Sequence, residues 1–212
     1  MDILTEGGGL LLERDYSIII DKSEIMLTEN FTTDGERSFW NIVKEATFAI
    51  ATKCEEFDFD GLTIYLYADN FDKFERVTVH QLADIFLTQK PSGKARLTLA
   101  LKDAVEHYFQ RRFQGLTKPN GETIVIITAS EPEDEAAVKQ TIIEASQQMI
   151  HEDELGITFI QVGTDKHLGK LLQTLDDHLV EIGAKFDICD TIKLENIDER
   201  TLSEVLLHAI TN

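Results

Sequence analysis

Short β-rich runs separated by long amphipathic segments restrict this chain to an α/β fold with a mostly parallel sheet. The expected strands are Tyr16–Ile20, Leu62–Ala68, Thr123–Thr128, Gly156–Val162 and Phe186–Ile192. Several are nearly continuous apolar runs, as strands covered on both faces must be. Between the first two, Ser38–Phe57 places Trp40, Val43, Ala46, Ile50, Cys54 and Phe57 at steps of three or four, which gives one apolar helical face. The same spacing predicts helices over Leu97–Phe113, Glu133–Ile150, Lys166–Ala184 and Asp198–Ile210. Right-handed crossovers then put helices on both sheet faces. One interval breaks the rhythm, because Leu62–Ala68 is followed after only Asp69–Asp72 by a second β-like run, Phe74–Val79. With no room for a helix, that run is an antiparallel edge strand. Val79–Thr88 reads as a short helix stopped by Pro91. The expected architecture is three-layer and doubly wound, with a mostly parallel sheet and one antiparallel edge strand.

A length of 212 residues with 42% hydrophobic composition supports one sizeable core, and no linker-like tract divides it. The domain is expected over residues 15–212. Residues 1–14, with Gly7, Gly8 and Gly9, are expected to form a flexible arm. The 39 acidic residues against 20 basic ones give a net charge of −19, which repels polyanions and argues against a nucleic-acid ligand. The first residues lack the basic start and apolar run of a secretion signal, and nowhere do about 20 apolar residues follow one another, so a cytoplasmic protein without membrane insertion is expected. Cys54 and Cys189 lack metal-ligand spacing and read as buried thiols. The histidines, His107, His167 and His178 among them, form no ligand cluster.

Ligands of open α/β sheets sit at the carboxyl ends of strands where the strand order reverses. The first strand runs into Asp21-Lys22-Ser23-Glu24-Ile25-Met26. An apolar strand entering Asp-x-Ser resembles the opening of the metal-ion-dependent adhesion site of von Willebrand factor A-type (vWA) domains, whose pattern is Asp-x-Ser-x-Ser. The resemblance continues through Trp40 and Ala46, through Gly93, Leu97, Ala100, Leu101 and Ala104, and through Thr123–Thr128 with Glu131-Pro132. It spans about Asp15 to Ile210 and implies a vWA, Rossmann-like fold. It also implies a divalent cation held by two serines and an aspartate from the first loop, a threonine from the second and an aspartate from the third. Carried over by position, Asp21 and Ser23 match, whereas Ile25, Ala95 and Ala129 stand at the other ligand positions. Sliding the second loop by three residues would substitute Thr98 for Ala95, but places it inside the helix. Mg²⁺ needs near-octahedral oxygen coordination, so one carboxylate and one hydroxyl should hold little or none.

The resemblance therefore implies a degenerate adhesion site and a non-enzymatic protein-interaction module, with no cofactor and with another protein, a second vWA protein among the candidates, as partner. Its binding surface is expected around Glu24, Ile25, Ala95, Ala129 and Glu131. Asp21 and Ser23 are either residual ligands of a weak Mg²⁺ site or groups that bond loop amides. Glu131 could serve as a replacement ligand, but Ser130, Pro132 and Glu133 also compose a capping-box helix start. The Gly93-Lys94 pair lacks the flanking residues of a phosphate loop. The competing reading is a Mg²⁺-dependent phosphohydrolase of the haloacid dehalogenase type, with Asp21 as nucleophile, Thr128 at a later strand end, and Asp176 and Asp177 on the metal. That chemistry needs a second acid two residues after the nucleophile, where this chain has Ser23. Otherwise Asp176 and Asp177 belong to a solvated helix face.

Overall fold

The computed structural model describes residues 13–32, 35–56, 58 and 60–194. The glycine-rich arm and the helix expected over Asp198–Ile210 lie outside the described residues, except that Glu13 and Arg14 are described. Arg14 is completely buried, so the domain begins before residue 15. Its guanidinium donates to Thr123 Oγ1 (2.6 Å), Glu122 O (2.9 Å), Asp153 O (2.6 Å) and Asn120 O, which ties the entrances of neighbouring strands together. A side chain with that many buried acceptors cannot belong to a loose arm.

The elements, in chain order, are β1 (Asp15–Asp21), a 3₁₀ turn (Glu24–Leu27), β2 (Glu29–Thr32), β3 (Gly35–Ser38), α1 (Phe39–Glu55), β4 (Leu62–Tyr67), β5 (Phe71–Val77) and α2 (Val79–Thr88). They continue with α3 (Leu97–Phe113), β6 (Glu122–Thr128), α4 (Glu135–Gln148), a second 3₁₀ turn (Glu152–Glu154), β7 (Leu155–Gln161), α5 (Lys166–Asp177) and β8 (Cys189–Lys193). The main sheet has six strands in the order β5-β4-β1-β6-β7-β8, parallel throughout except for β5 against β4. This is the expected doubly wound α/β architecture, with β1 and β6 adjacent at its centre.

Alternation along each strand distributes side chains to two cores. Ile18 and Ile20 of β1 join Ile64, Leu66, Val125 and Ile127 against Trp40, Val43 and Ile50 of α1 and Leu82 and Phe86 of α2. Ile19 points the other way and, with Tyr65, Tyr67, Ile124 and Ile126, packs on α3, α4 and α5 through Leu101, Ile142 and Leu172. Helices thus cover both faces, and the change of face falls at β1.

Three local features depart from the pattern in the sequence. The antiparallel pair β2–β3 precedes α1; its short, polar strands carry no alternating signal. The helix expected to run to Ala184 ends at Asp177, and Leu179 and Ala184 remain buried in turns that close with Gly183 at φ +120°. Strand β8 starts at Cys189 and not at Phe186. The Lys185 N–H is held by Ser146 Oγ (2.9 Å) and its ammonium by Met149 O (2.6 Å), which draws that segment toward the end of α4.

The base of the sheet holds a buried charge network. Arg111 reaches Asp15 (2.8 Å) and Glu122 (3.4 Å), while Ser17 Oγ donates to Glu122 at 2.5 Å. Burial nevertheless pushes the Glu122 carboxyl up to about 7. Between the ordinary glutamate value near 4.3 and about 7, the folded chain holds a proton that the unfolded chain lacks, so this group makes stability fall as pH rises through that window. Urea unfolding at pH 5 and pH 8 should show Glu122→Gln gaining on the parent, on the order of 3 kcal/mol, at the higher pH. Parallel pH profiles for the two proteins would contradict the assignment.

Candidate functional site

The register brings Asp21, Tyr67 and Thr128 side by side. Asp21 pairs with Tyr67, and Ile20 with Ile127, so the last residues of β4, β1 and β6 are neighbours at the carboxyl edge. By alternation all three point to the α3 face. Here the strand order reverses, which is where open α/β sheets place their sites.

Asp21 is fully buried. Its Oδ1 accepts the Ser23 N–H at 2.8 Å, and its Oδ2 accepts the Thr128 hydroxyl at 3.1 Å. The Tyr67 hydroxyl donates to Thr128 Oγ1 at 3.2 Å, completing a chain from Tyr67 through Thr128 to Asp21. Burial raises the affinity of Asp21 for its proton, and the bonds from Ser23, Thr128 and Tyr67 partly oppose that. Burial likewise holds the Tyr67 phenol well above its usual range. The Ser23 hydroxyl, also buried, stands near the carboxylate but off hydrogen-bonding geometry, without a partner among the described residues.

Backbone bonds lock three loops together over this edge. Lys22 N donates to Tyr67 O (2.8 Å), Ser92 N to Lys22 O (2.9 Å), Glu24 N to Gly93 O (3.0 Å) and Arg96 N to Ala68 O (3.2 Å). Gly93 lies at φ +76°, so the turn needs glycine; a Cβ there would also meet Asp69 Oδ2 at 2.3 Å, a contact the exposed carboxylate can relieve by turning away. The third loop closes on the second, with Glu133 N donating to Ala95 O (3.1 Å) and its carboxylate reaching Lys94 at 2.6 Å.

That contact corrects two expectations. Ala95 and Ala129 are buried, at 7% and 4% exposure, and do not belong to an accessible surface. Ser130 does not cap the following helix: α4 begins at Glu135 after Asp134, because Glu133 is engaged with the second loop. Glu24 and Glu131 are exposed. Ile25 is exposed to 37% and Leu27 to 59%, so the apolar part of this edge lies on the 3₁₀ turn. Leu27 was not legible as a surface residue, since an apolar side chain in an apolar-rich turn gives no signal of its side.

Of the positions where the resemblance calls for cation ligands, Ile25, Ala95 and Ala129 offer no side-chain oxygen, and each oxygen of Asp21 accepts one bond from the chain. Thr98 is buried in the first turn of α3, and its hydroxyl has no partner among the described residues. Asp176 and Asp177 are not brought to Asp21. Asp176 accepts the Thr191 N–H of β8 (3.2 Å), and β8 lies three strand spacings, about 14 Å, from β1. A second acidic group, Asp15, Asp58 and Asp60, occupies the opposite end of the sheet. The Lys118 ammonium already sits among them, bonded to Asp58 and 2.9 Å from Asp60. Burial raises Asp58 to about 7, while its bonds to Asp58 and Lys118 hold Asp60 below the usual range.

No protein-family model matches this sequence, and no curated protein sequence matches it. Solved structures do resemble it. The conserved hypothetical protein BatB from Bacteroides thetaiotaomicron superposes with a TM-score of 0.56 at 14% identity over 94% of this chain and 100% of that one. The PilB minor pilin from Streptococcus sanguinis gives 0.54 at 13% identity, over 93% of this chain and 62% of the pilin. The manganese-loaded TRAP protein from Plasmodium vivax gives 0.56 at 12% identity, over 93% of this chain and 72% of that one. At such identities the likeness is one of fold, and the fold is vWA-like.

If the Asp21 carboxyl serves the loop hydrogen bonds, its charge matters less than its oxygen atoms. Asp21→Asn should then cost less than about 1 kcal/mol, whereas Asp21→Ala should cost about 2–3 kcal/mol by leaving buried donors unanswered. Urea unfolding at pH 7 checks this; equal losses in the two variants would contradict it.

Proposed function

We propose that this chain is a non-enzymatic protein-interaction module. In this reading its vWA-like loop edge works without a tightly bound divalent cation. The observation that carries the reading is the state of Asp21: buried, with both oxygens accepting bonds from the chain itself, while the loops around this edge carry Ile25, Ala95 and Ala129 at positions where the resemblance calls for oxygen-bearing side chains. The manganese-loaded TRAP structure indicates that a protein of similar fold can carry a divalent cation. In this reading hydrogen bonds, with no cation, link the loops of this chain. The partner surface is the 3₁₀ turn, where exposed Ile25 and Leu27 sit beside acidic Glu24, with Glu131 on a neighbouring loop. An apolar centre with a charged rim is the usual composition of such surfaces.

The phosphohydrolase reading is disfavoured by the same geometry. A nucleophilic carboxylate has to meet its substrate, and Asp21 is fully buried. The acids that reading would place on Mg²⁺ lie across the sheet at α5.

Thermal unfolding in millimolar Mg²⁺ or Mn²⁺ should coincide with unfolding in chelator, because only a cation bound to the native state raises stability. A saturable rise in the parent protein would overturn the proposal. Combining Ile25→Ser, Ala95→Thr and Ala129→Asp should create cation-dependent stabilisation of about 2.7 kcal/mol at a hundredfold excess over the dissociation constant. Adding Thr98→Ala should leave that gain intact. Ala129→Asp alone should destabilise the chain, because it buries a second carboxylate near Asp21. Partner capture should survive chelator and be lost in Ile25→Asp; capture that requires Mg²⁺ would contradict the cation-free reading.

A further inference from the structure

The 3₁₀ turn at the carboxyl edge and the residues after it form a short, fixed knob. Met26 is fully buried in the core that holds Trp40 and Phe86, while Ile25 and Leu27 on either side of it stand out at 37% and 59% exposure. Backbone bonds hold the knob at each step. Glu24 N donates to Gly93 O (3.0 Å), Met26 N to Ser23 O (3.1 Å), Thr28 N to Ile25 O (2.9 Å) and Phe39 N to Thr28 O (2.9 Å). An apolar pair presented on a fixed backbone loses little freedom when a partner covers it, which favours binding.

Charge decides the class of that partner. Glu24 and Glu29, which bracket the apolar pair in the chain, are exposed and make no ion pair with any described residue. The cations of the neighbouring loops are already answered, Lys22 by Asp72 (2.5 Å), and Lys94 and Arg96 by Glu133 (2.6 and 3.8 Å). The chain as a whole carries a net charge of −19. A second copy would bring the same glutamates and the same net charge, so self-association through this turn is opposed. Nucleic acid and anionic membrane surfaces are repelled by the same field. A cationic protein surface is instead drawn toward it, and finds unpaired carboxylates beside the apolar contact.

Resting on the interaction reading above, we propose that this turn binds a basic protein segment. Apolar side chains of that segment cover Ile25 and Leu27, and flanking lysines or arginines pair with Glu24 and Glu29. The apolar contact holds the partner, while the charges select it and speed its approach.

The test is fluorescence anisotropy of short, labelled, end-blocked peptides titrated with the full chain. One peptide alternates leucine pairs with lysine pairs, a second has every lysine replaced by glutamate, and a third has every leucine replaced by serine. The leucine–lysine peptide should bind saturably and more weakly as salt rises. The glutamate peptide should not bind, and the serine peptide should bind at least about tenfold more weakly. Leu27→Asp makes the chain more acidic and should nevertheless weaken binding at least about tenfold, because it removes an apolar contact. Glu24→Gln with Glu29→Gln should weaken it about fivefold, as loss of two exposed ion pairs does. Glu106→Gln with Glu144→Gln, on helices α3 and α4, removes the same charge and should leave binding unchanged. Circular dichroism checks that each variant folds; if Leu27→Asp does not, the two glutamine pairs decide. No saturable binding of the leucine–lysine peptide at about 1 mM would overturn the proposal. So would full binding by Leu27→Asp, or equal losses in the two glutamine pairs, since either means that net charge and not the turn is recognised. Equal binding of the glutamate peptide would overturn the partner class and leave a cation-free interaction edge in place, which the Mg²⁺ dependence of unfolding tests separately.

Discussion

The burial of β1 on both faces and along both edges governs what happens at its end. Ile18 and Ile20 fill one core, Ile19 the other, and β4 and β6 hold the strand in parallel register on either side. A strand so enclosed delivers its last side chain, Asp21, into a place without solvent. A carboxyl group there has to be answered by donors, and the register supplies them from adjacent strand ends and the following turn. The loops then inherit their positions from bonds that radiate from this point, through Lys22 to Tyr67 and through Glu24 to Gly93.

The two ends of the central strands solve the problem of buried polarity in opposite ways. At the base, Arg111 and Lys118 pair with Asp15, Glu122, Asp58 and Asp60, while Arg14 donates to backbone carbonyls and to the Thr123 hydroxyl. At the carboxyl edge no cation is paired with Asp21 among the described residues, and hydroxyls and amides stand in its place. The base is a structural fastening whose balance depends on pH through Glu122 and Asp58. The carboxyl edge has low charge inside and acidic side chains such as Glu24 and Glu131 outside.

Periodicity alone determined the order of elements, the parallel core and the antiparallel edge strand, because apolar spacings of two and of three to four residues are local properties of the chain. Helix α3 could be placed to the residue, Leu97–Phe113, and the polar, short β2–β3 pair could not. The sequence also determined that Ile25, Ala95 and Ala129 bring no oxygen to the loops. Which side of the surface those residues occupy was decided only by tertiary structure: Glu133 folds the third loop over Ala95, whereas Ile25 and Leu27 stay exposed on the turn. Asp21 shows the same division. Its place at a strand end is written in the sequence, but its partners Tyr67 and Thr128 are 46 and 107 residues away and meet it only through strand register.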